Sequence, residues 1–249
     1  MSKFWTIVNK VIEKSDILLL VMDARMPKGS RNPEIEEKVA KSGKKIIYVL
    51  NKCDLIEDSK EYPKVMHQLH LNPGNSIFVS AREHLGTMNL LRKIKEFSKG
   101  EYCVVGVVGY PNTGKSSVIN ALKGKHSART SSQAGFTRGM QKVRVTKDML
   151  LLDTPGVIPY NEEDRTKHVL IASRNINKTN DPEVVAMDLI VQYDGKIEKF
   201  YHAKKGEDEE ESLENIAKAK NLLIKKGLPD TKKASHMILL DWQKGKIKV

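Results

Sequence analysis

The stretch Gly109-Tyr110-Pro111-Asn112-Thr113-Gly114-Lys115-Ser116 reads G-x-x-x-x-G-K-S, and it lies between the apolar run Val104 to Val108 and the helical pattern Val118, Ile119, Leu122. A strand, a glycine-rich loop and a helix in that order constrain the fold more than any other feature of the chain, because the loop can gather phosphates only where its N–H groups converge on a helix start. Backbone N–H groups from Asn112 to Ser117, Thr113, Gly114 and Ser117 included, are expected to cradle the phosphates. Lys115 would bridge the β and γ phosphates and the Ser116 hydroxyl would ligate Mg²⁺. Three further apolar runs, Ile17 to Met22, Ile46 to Leu50 and Ile77 to Val79, alternate with helical patterns. Fully apolar strands separated by helices predict an α/β protein with a doubly wound, mostly parallel sheet of the P-loop type.

Two of those runs end in further motifs. Asn51-Lys52-Cys53-Asp54 follows Ile46 to Leu50, and Ser80-Ala81 follows Ile77 to Val79. A carboxylate at Asp54 can accept from the N1 and N2 donors of guanine, whereas adenine offers no equivalent pair and would leave the acid unpaired, so guanine is favoured. Lys52 can lay its stem along the purine, Asn51 can tie this loop to the phosphate loop, and the Ala81 N–H can donate to guanine O6. Downstream, Asp153-Thr154-Pro155-Gly156 supplies an acid for Mg²⁺, through water, and a glycine N–H within reach of the γ-phosphate. Between them Gly135-Phe136-Thr137 lies in the polar stretch Ser127 to Arg138, where Thr137 would complete the Mg²⁺ shell in one nucleotide state.

All parts of a guanine-nucleotide site are therefore present, in rotated order: base motifs first, phosphate and metal motifs after. Rotation moves the chain ends without changing which strands pair, so the predicted domain is circularly permuted. Two departures bear on hydrolysis. Val157 follows Gly156 where many GTPases place the glutamine that orients the attacking water, which predicts slow intrinsic turnover. Asn112 either serves hydrogen bonding within the loop or holds a potassium ion beside the phosphates. Lys115, Thr137 and Asn112 are thus the candidate catalytic residues.

At 249 residues the chain has room for one medium α/β domain and a small second one. Residues 1–160 are expected to form the nucleotide domain. Pro159 and Glu162 to His168 read as a linker, and residues 161–249 as a small helical domain with patterns at Val184 to Val191, Leu213 to Ile224 and Lys232 to Trp242. Phe4, Val8, Val11 and Ile12 make the packing face of a leading helix, and Leu85, Met88, Leu91 and Ile94 that of another. The net charge is +12, with 26 Lys/Arg against 15 Asp/Glu over residues 1–159, so the excess sits on the nucleotide domain. Such a surface is either simply well solvated or attracts a polyanion through phosphate contacts. Two cysteines, Cys53 and Cys103, make no oxidised framework, and no apolar run nears the roughly 18 residues needed to span a bilayer, so a soluble protein of the reducing cytosol is expected.

On these residues the chain resembles the circularly permuted GTPases of the YlqF/YawG type, which are ribosome-assembly factors. The resemblance runs over nearly the whole length, through Asp23-Ala24-Arg25, the rotated motifs, Gly227-Leu228-Pro229-Asp230-Thr231 and Asp241-Trp242. It implies GTP and GDP, the large ribosomal subunit and its RNA as partners, with no membrane or DNA, and hydrolysis stimulated by the particle. It also implies a carboxyl-terminal helical domain that contacts ribosomal RNA. That family includes members with a hydrophobic residue in place of the catalytic glutamine, as at Val157. Ala134 departs from it, standing before Gly135 where proline is more common.

Overall fold

The computed structural model describes residues 3–124, 140–158, 169–170 and 181–249. The side chain of Phe4, the Gly135-Phe136-Thr137 segment and the expected linker from Pro159 to His168 lie outside the described residues. The chain divides into two compact units, Met1–Glu162 and Glu163–Val249.

In the first unit, helix α1 (Lys3–Lys14) leads into β1 (Ile17–Asp23), short α2 (Pro27–Ser30), α3 (Pro33–Lys41), β2 (Lys45–Asn51), α4 (Tyr62–Gln68), β3 (Ser76–Val79), α5 (Thr87–Phe97), β4 (Cys103–Val108), α6 (Lys115–Lys123), β5 (Gln141–Thr146) and β6 (Met149–Asp153). The strands form one sheet in the order β3-β2-β1-β4-β6-β5. Every pairing is parallel except β5 with β6, which are the two arms of a hairpin that turns at Lys147-Asp148.

Every residue of β1 is buried, because helices cover both faces and strand side chains alternate between them. Ile17, Leu19 and Val21 point with Val105, Val107 and Leu151 into a core closed by Leu90 and Ile94 of α5 and Val118, Ile119 and Leu122 of α6. Leu18, Leu20 and Met22 point the other way, onto Trp5, Val8, Val11 and Ile12 of α1 and Ile35 and Val39 of α3. Val8, Val11 and Ile12 of the α1 stripe therefore pack as their spacing predicts, and Trp5 is a core residue. The α5 face differs. Leu85 lies before the helix, bridged to Ser80 ahead of a left-handed Gly86 N-cap, and Leu85 and Met88 are exposed. Starting the helix at Thr87 turns Leu90 inward in their place, while Ile94 of the predicted face is buried and Leu91 is partly buried beside it.

In the second unit, α7 (Pro182–Tyr193), α8 (Lys196–Tyr201), α9 (Glu209–Ala219) and α10 (Thr231–Gln243) bury Leu189, Ile190, Ile197, Leu213, Ile216, Ile238, Leu239 and Trp242. Trp242 donates its indole N–H to Leu170 O at 2.9 Å, and the Tyr201 hydroxyl donates to Asp241 Oδ2 at 3.1 Å. Glu209, Glu210 and Glu211 form the first turn of α9, capped by Asp208, which accepts from the Glu211 N–H. The helix expected to run to Ile224 stops at Ala219. Asn221 takes the left-handed conformation (φ 52°), the Leu222 N–H closes back on Ala217 O, and Leu223 pairs with Pro229 as extended chain, a C-terminal capping arrangement that a helical apolar pattern alone does not reveal.

Helix α1 approaches the sheet closely at Gly106 of β4, where an added Cβ would meet Ser15 Oγ at 2.5 Å and Val11 Cγ1 and Leu18 Cδ1 at 2.7 Å. Gly106→Val should therefore push α1 off the sheet and lower the stability of the first unit by about 1–3 kcal/mol. The urea midpoint read from Trp5 fluorescence in a Trp242→Phe background checks this. An unchanged midpoint would mean the helix yields at no cost.

Candidate functional site

The five parallel strands end on one edge of the sheet, and four of the endings carry one of the predicted motifs. Chain direction alone brings them together: β4 runs into the phosphate loop, β2 into Asn51–Asp54, β3 into Ser80-Ala81 and β6 into Asp153. Open α/β sheets bind ligands at the carboxyl ends of their strands.

Asn51 is the joint between the base and phosphate sides. Its Nδ2 donates to Thr113 O at 2.9 Å and its Oδ1 accepts from the Ala81 N–H at 3.1 Å. One buried carboxamide thus ties three loops together. The tie to the phosphate loop is the one predicted. The Ala81 N–H, expected to donate to guanine O6, donates to Asn51 in this structure. Gly114 is left-handed (φ 93°), and a Cβ there would strike Asn51 Nδ2, so glycine is needed for both the turn and the approach.

Within the phosphate loop, Thr113 and Lys115 are buried, Ser116 is half-buried, and Asn112 and Ser117 are exposed; Asn112 is left-handed at φ 58°. The Lys115 ammonium donates to Tyr110 O at 2.6 Å. Burial lowers its pKa to about 8, outweighing the opposing charge of Asp153. The Ser116 hydroxyl donates to Asp153 Oδ2 at 2.9 Å. A hydroxyl and a carboxylate side by side are hard oxygen donors of the kind magnesium takes, so these residues fit that ion. Thr137, expected to join them, lies outside the described residues.

The backbone past Asp153 is held firmly. Thr154 Oγ1 donates to Val107 O at 2.7 Å and the Val157 N–H to Gly109 O at 3.2 Å. Gly156 lies so close to Pro111 that a Cβ would strike its backbone. Val157 is buried with Trp5 and α1. Asn32 Nδ2 donates to Val157 O at 3.4 Å, and the Trp5 indole to Ile158 O at 3.2 Å. The side chain that replaces the water-orienting glutamine is thus a core residue.

On the base side, Asp54 sits half-buried in the 3₁₀ turn Cys53–Leu55, braced where the Tyr62 hydroxyl donates to Cys53 O and its ring stacks on Phe78 at 3.9 Å. Lys52 is left-handed (φ 64°), and its ammonium reaches Asp23 Oδ2 at 2.7 Å. Arg25 holds the same carboxylate through Nε at 3.2 Å and a second guanidinium nitrogen at 2.9 Å. Burial would raise the Asp23 pKa, but the charges and hydrogen bonds of Lys52 and Arg25 outweigh it and keep the acid ionised far below the usual carboxylate range. Sequence reasoning gave Asp23 no role. Its signal was present in the position, as the last residue of an apolar strand, one strand away from a base motif.

A parallel sheet with a phosphate loop, an N-K-x-D loop and a D-x-x-G acid on one edge is the nucleotide domain of a P-loop GTPase, and the base motifs preceding the phosphate loop make it a circularly permuted one. The RsgA GTPase family model matches residues 8–161, and the chain belongs to that family. A second model, described as 50S ribosome-binding GTPase, matches residues 104–226. A GTP-binding protein of Methanocaldococcus jannaschii is 41% identical over 97% of this chain and 65% of its own length; nucleolar GTP-binding protein 2 of Saccharomyces cerevisiae is 32% identical over 98% and 52%. The chain spans between about half and two thirds of the length of these relatives. Among solved structures, YlqF from T. maritima shares the fold with GNP bound (TM-score 0.66, 24% identity, 99% of this chain and 96% of that one) and with GDP bound (0.69, 24%, 97% and 95%).

The depressed Lys115 pKa gives a pH signature. Phosphates raise the pKa of a lysine they contact, so binding takes up a proton wherever the free chain has lost it. At pH 7 the free lysine is mostly charged and uptake should be small; at pH 9 it should approach one proton, with affinity falling as pH rises above about 8. Calorimetry of GDP binding in two buffers of different ionisation enthalpy measures this. Equal uptake at both pH values would show that the lysine is already charged at pH 9.

Proposed function

We propose that this chain binds GTP through Asn51, Lys52, Asp54, Ser80-Ala81 and the phosphate loop, hydrolyses it with magnesium, and acts as a switch in large ribosomal subunit assembly in the cytosol. The observation that carries the nucleotide part is the Asn51 carboxamide, which joins the base loop to the phosphate loop at hydrogen-bond distance. A joint of this kind sets the spacing between the base and phosphate ends of one ligand. The ribosomal part is supported by the 50S ribosome-binding description of the model matching residues 104–226 and by the nucleolar name of the yeast relative.

Ser116 and Asp153, with Thr137, would hold Mg²⁺, which would supply positive charge to the phosphates. Lys115 lies ready in the same loop. Asn112 is assigned a potassium ion beside the phosphates, supplying positive charge that Val157 cannot replace. Residues 1–160 are the nucleotide domain and 161–249 an arm that meets the particle and its RNA. Because the chain passes from Gly156 directly toward that arm, movement at the γ-phosphate reaches it through the backbone, and the particle in turn stimulates hydrolysis.

The burial of Val157 favours a second reading, a GTP-gated scaffold whose own turnover is too slow to matter. Single-turnover hydrolysis with and without purified large subunits separates the two. Strong stimulation supports the switch, and an unchanged slow rate with GTP-dependent co-sedimentation supports the scaffold. Sedimentation with another RNA species would redirect the ribosomal assignment.

For the base site, Asp54→Asn should weaken guanine-nucleotide binding roughly 10- to 150-fold, the loss of one partner in a charged hydrogen bond, and favour xanthine nucleotides. A variant that holds GDP as tightly as the parent would refute the base assignment. For potassium, exchange for sodium at constant ionic strength should slow the stimulated rate, and Asn112→Ala should remove the difference. Equal rates in the two salts would eliminate that ion.

A further inference from the structure

We propose that Asp23 is a positioning residue for the nucleoside pocket: by holding the Lys52 ammonium, it fixes the lysine stem in the place where it lies along the purine. This deepens the guanine-nucleotide reading and rests on it. Asp23 is the last residue of β1 and is in direct register with Asn51 on β2, so Lys52 leaves the sheet one residue beyond the pair. In the strand order, β1 lies between β2, which carries the base loop, and β4, which carries the phosphate loop. A lysine anchored on Asp23 therefore runs its stem from the base-side strand across the end of β1, toward the phosphate side.

Three observations show that the anchor is built rather than incidental. The Asp23 carboxylate is buried and takes Lys52 on Oδ2, while Arg25 grips both its oxygens from the same strand end. The Asp23 backbone is itself fixed, its N–H donating to Ser30 Oγ at 2.9 Å, and the adjacent Ala24 N–H donates to Asn51 O at 2.7 Å. Lys52 holds a left-handed backbone conformation (φ 64°, ψ 33°), which non-glycine residues adopt only where surroundings enforce it. A free lysine spreads over many rotamers, and ordering it on binding costs affinity; Asp23 removes that cost beforehand.

The test is a double-mutant cycle in the full chain on GDP and GTP dissociation constants, with Asp23→Asn, Lys52→Met and the pair. Asp23→Asn should weaken GDP and GTP by the same factor, roughly 2- to 12-fold, the range for one immobilised side chain. The single-turnover rate at saturating GTP should stay within about twofold, as for lost uniform binding. In the Lys52→Met background, Asp23→Asn should weaken binding no further, because it acts through the lysine. A purely structural role for Asp23 predicts the same loss in both backgrounds, and that result would overturn the proposal, as would a change in the GTP-to-GDP affinity ratio. If Asp23→Asn loses its native melting transition, Arg25→Gln replaces it in the same cycle with the same criterion. Parent and Asp54→Asn run alongside: no GDP binding by the parent refutes the nucleotide reading and the proposal together, whereas a parent that binds, an Asp54→Asn weakened as expected and an additive cycle refute the positioning role alone.

Discussion

The Asn51 carboxamide is the contact on which the site depends. It is one buried side chain, yet it spends its donor on the phosphate loop and its acceptor on the loop after β3. Neither contact is made by regular secondary structure, so no helix or sheet ladder would restore the spacing if the amide were lost. Left unpaired in the interior, those groups would cost about 1–3 kcal/mol each, which links the geometry of the site to the stability of the loops around it.

Around that joint the charges are arranged unequally. On the base side, Asp23 has two cations within hydrogen-bond reach and is a completed network. On the phosphate side, Lys115 is buried beside a backbone carbonyl, with its charged form disfavoured by desolvation. On the proposed nucleotide reading, a site satisfied on the base side and carrying a desolvated lysine on the phosphate side would gain most of its electrostatic energy from the phosphates.

Much of this was legible in the residues. Runs such as Ile17 to Met22 read as strands because they are too short for an ordinary helix and alternate with helical patterns, and the motifs at their ends fall on one edge because parallel strands all point the same way. Alternation in β1 divides its side chains between two cores, which no helical periodicity could mimic. Legibility failed where register or handedness decided the outcome. One glycine, Gly86, shifts the start of α5 past Leu85, and one left-handed asparagine, Asn221, ends α9 before its apolar pattern ends. The Asp23–Lys52 contact joins residues 29 apart, and only the register of β1 on β2 makes them neighbours.

The permuted order also has a consequence for how the domain is made. Asn51 and the carbonyl it needs on Thr113 are 62 residues apart, and a ribosome adding about 5–20 residues per second takes roughly 3–12 s to cover that distance. For most of that interval β1 and β2 already exist as chain and β3 is added partway through, while β4, the strand that must flank β1 on its other side, is finished only near the end. Nascent β1 is thus a half-covered central strand with one free edge, and edges of that kind recruit whatever extended chain is near. Helix α1, synthesised just before it and packed across Gly106 in the finished sheet, is the segment at hand to shield its apolar face until β4 emerges.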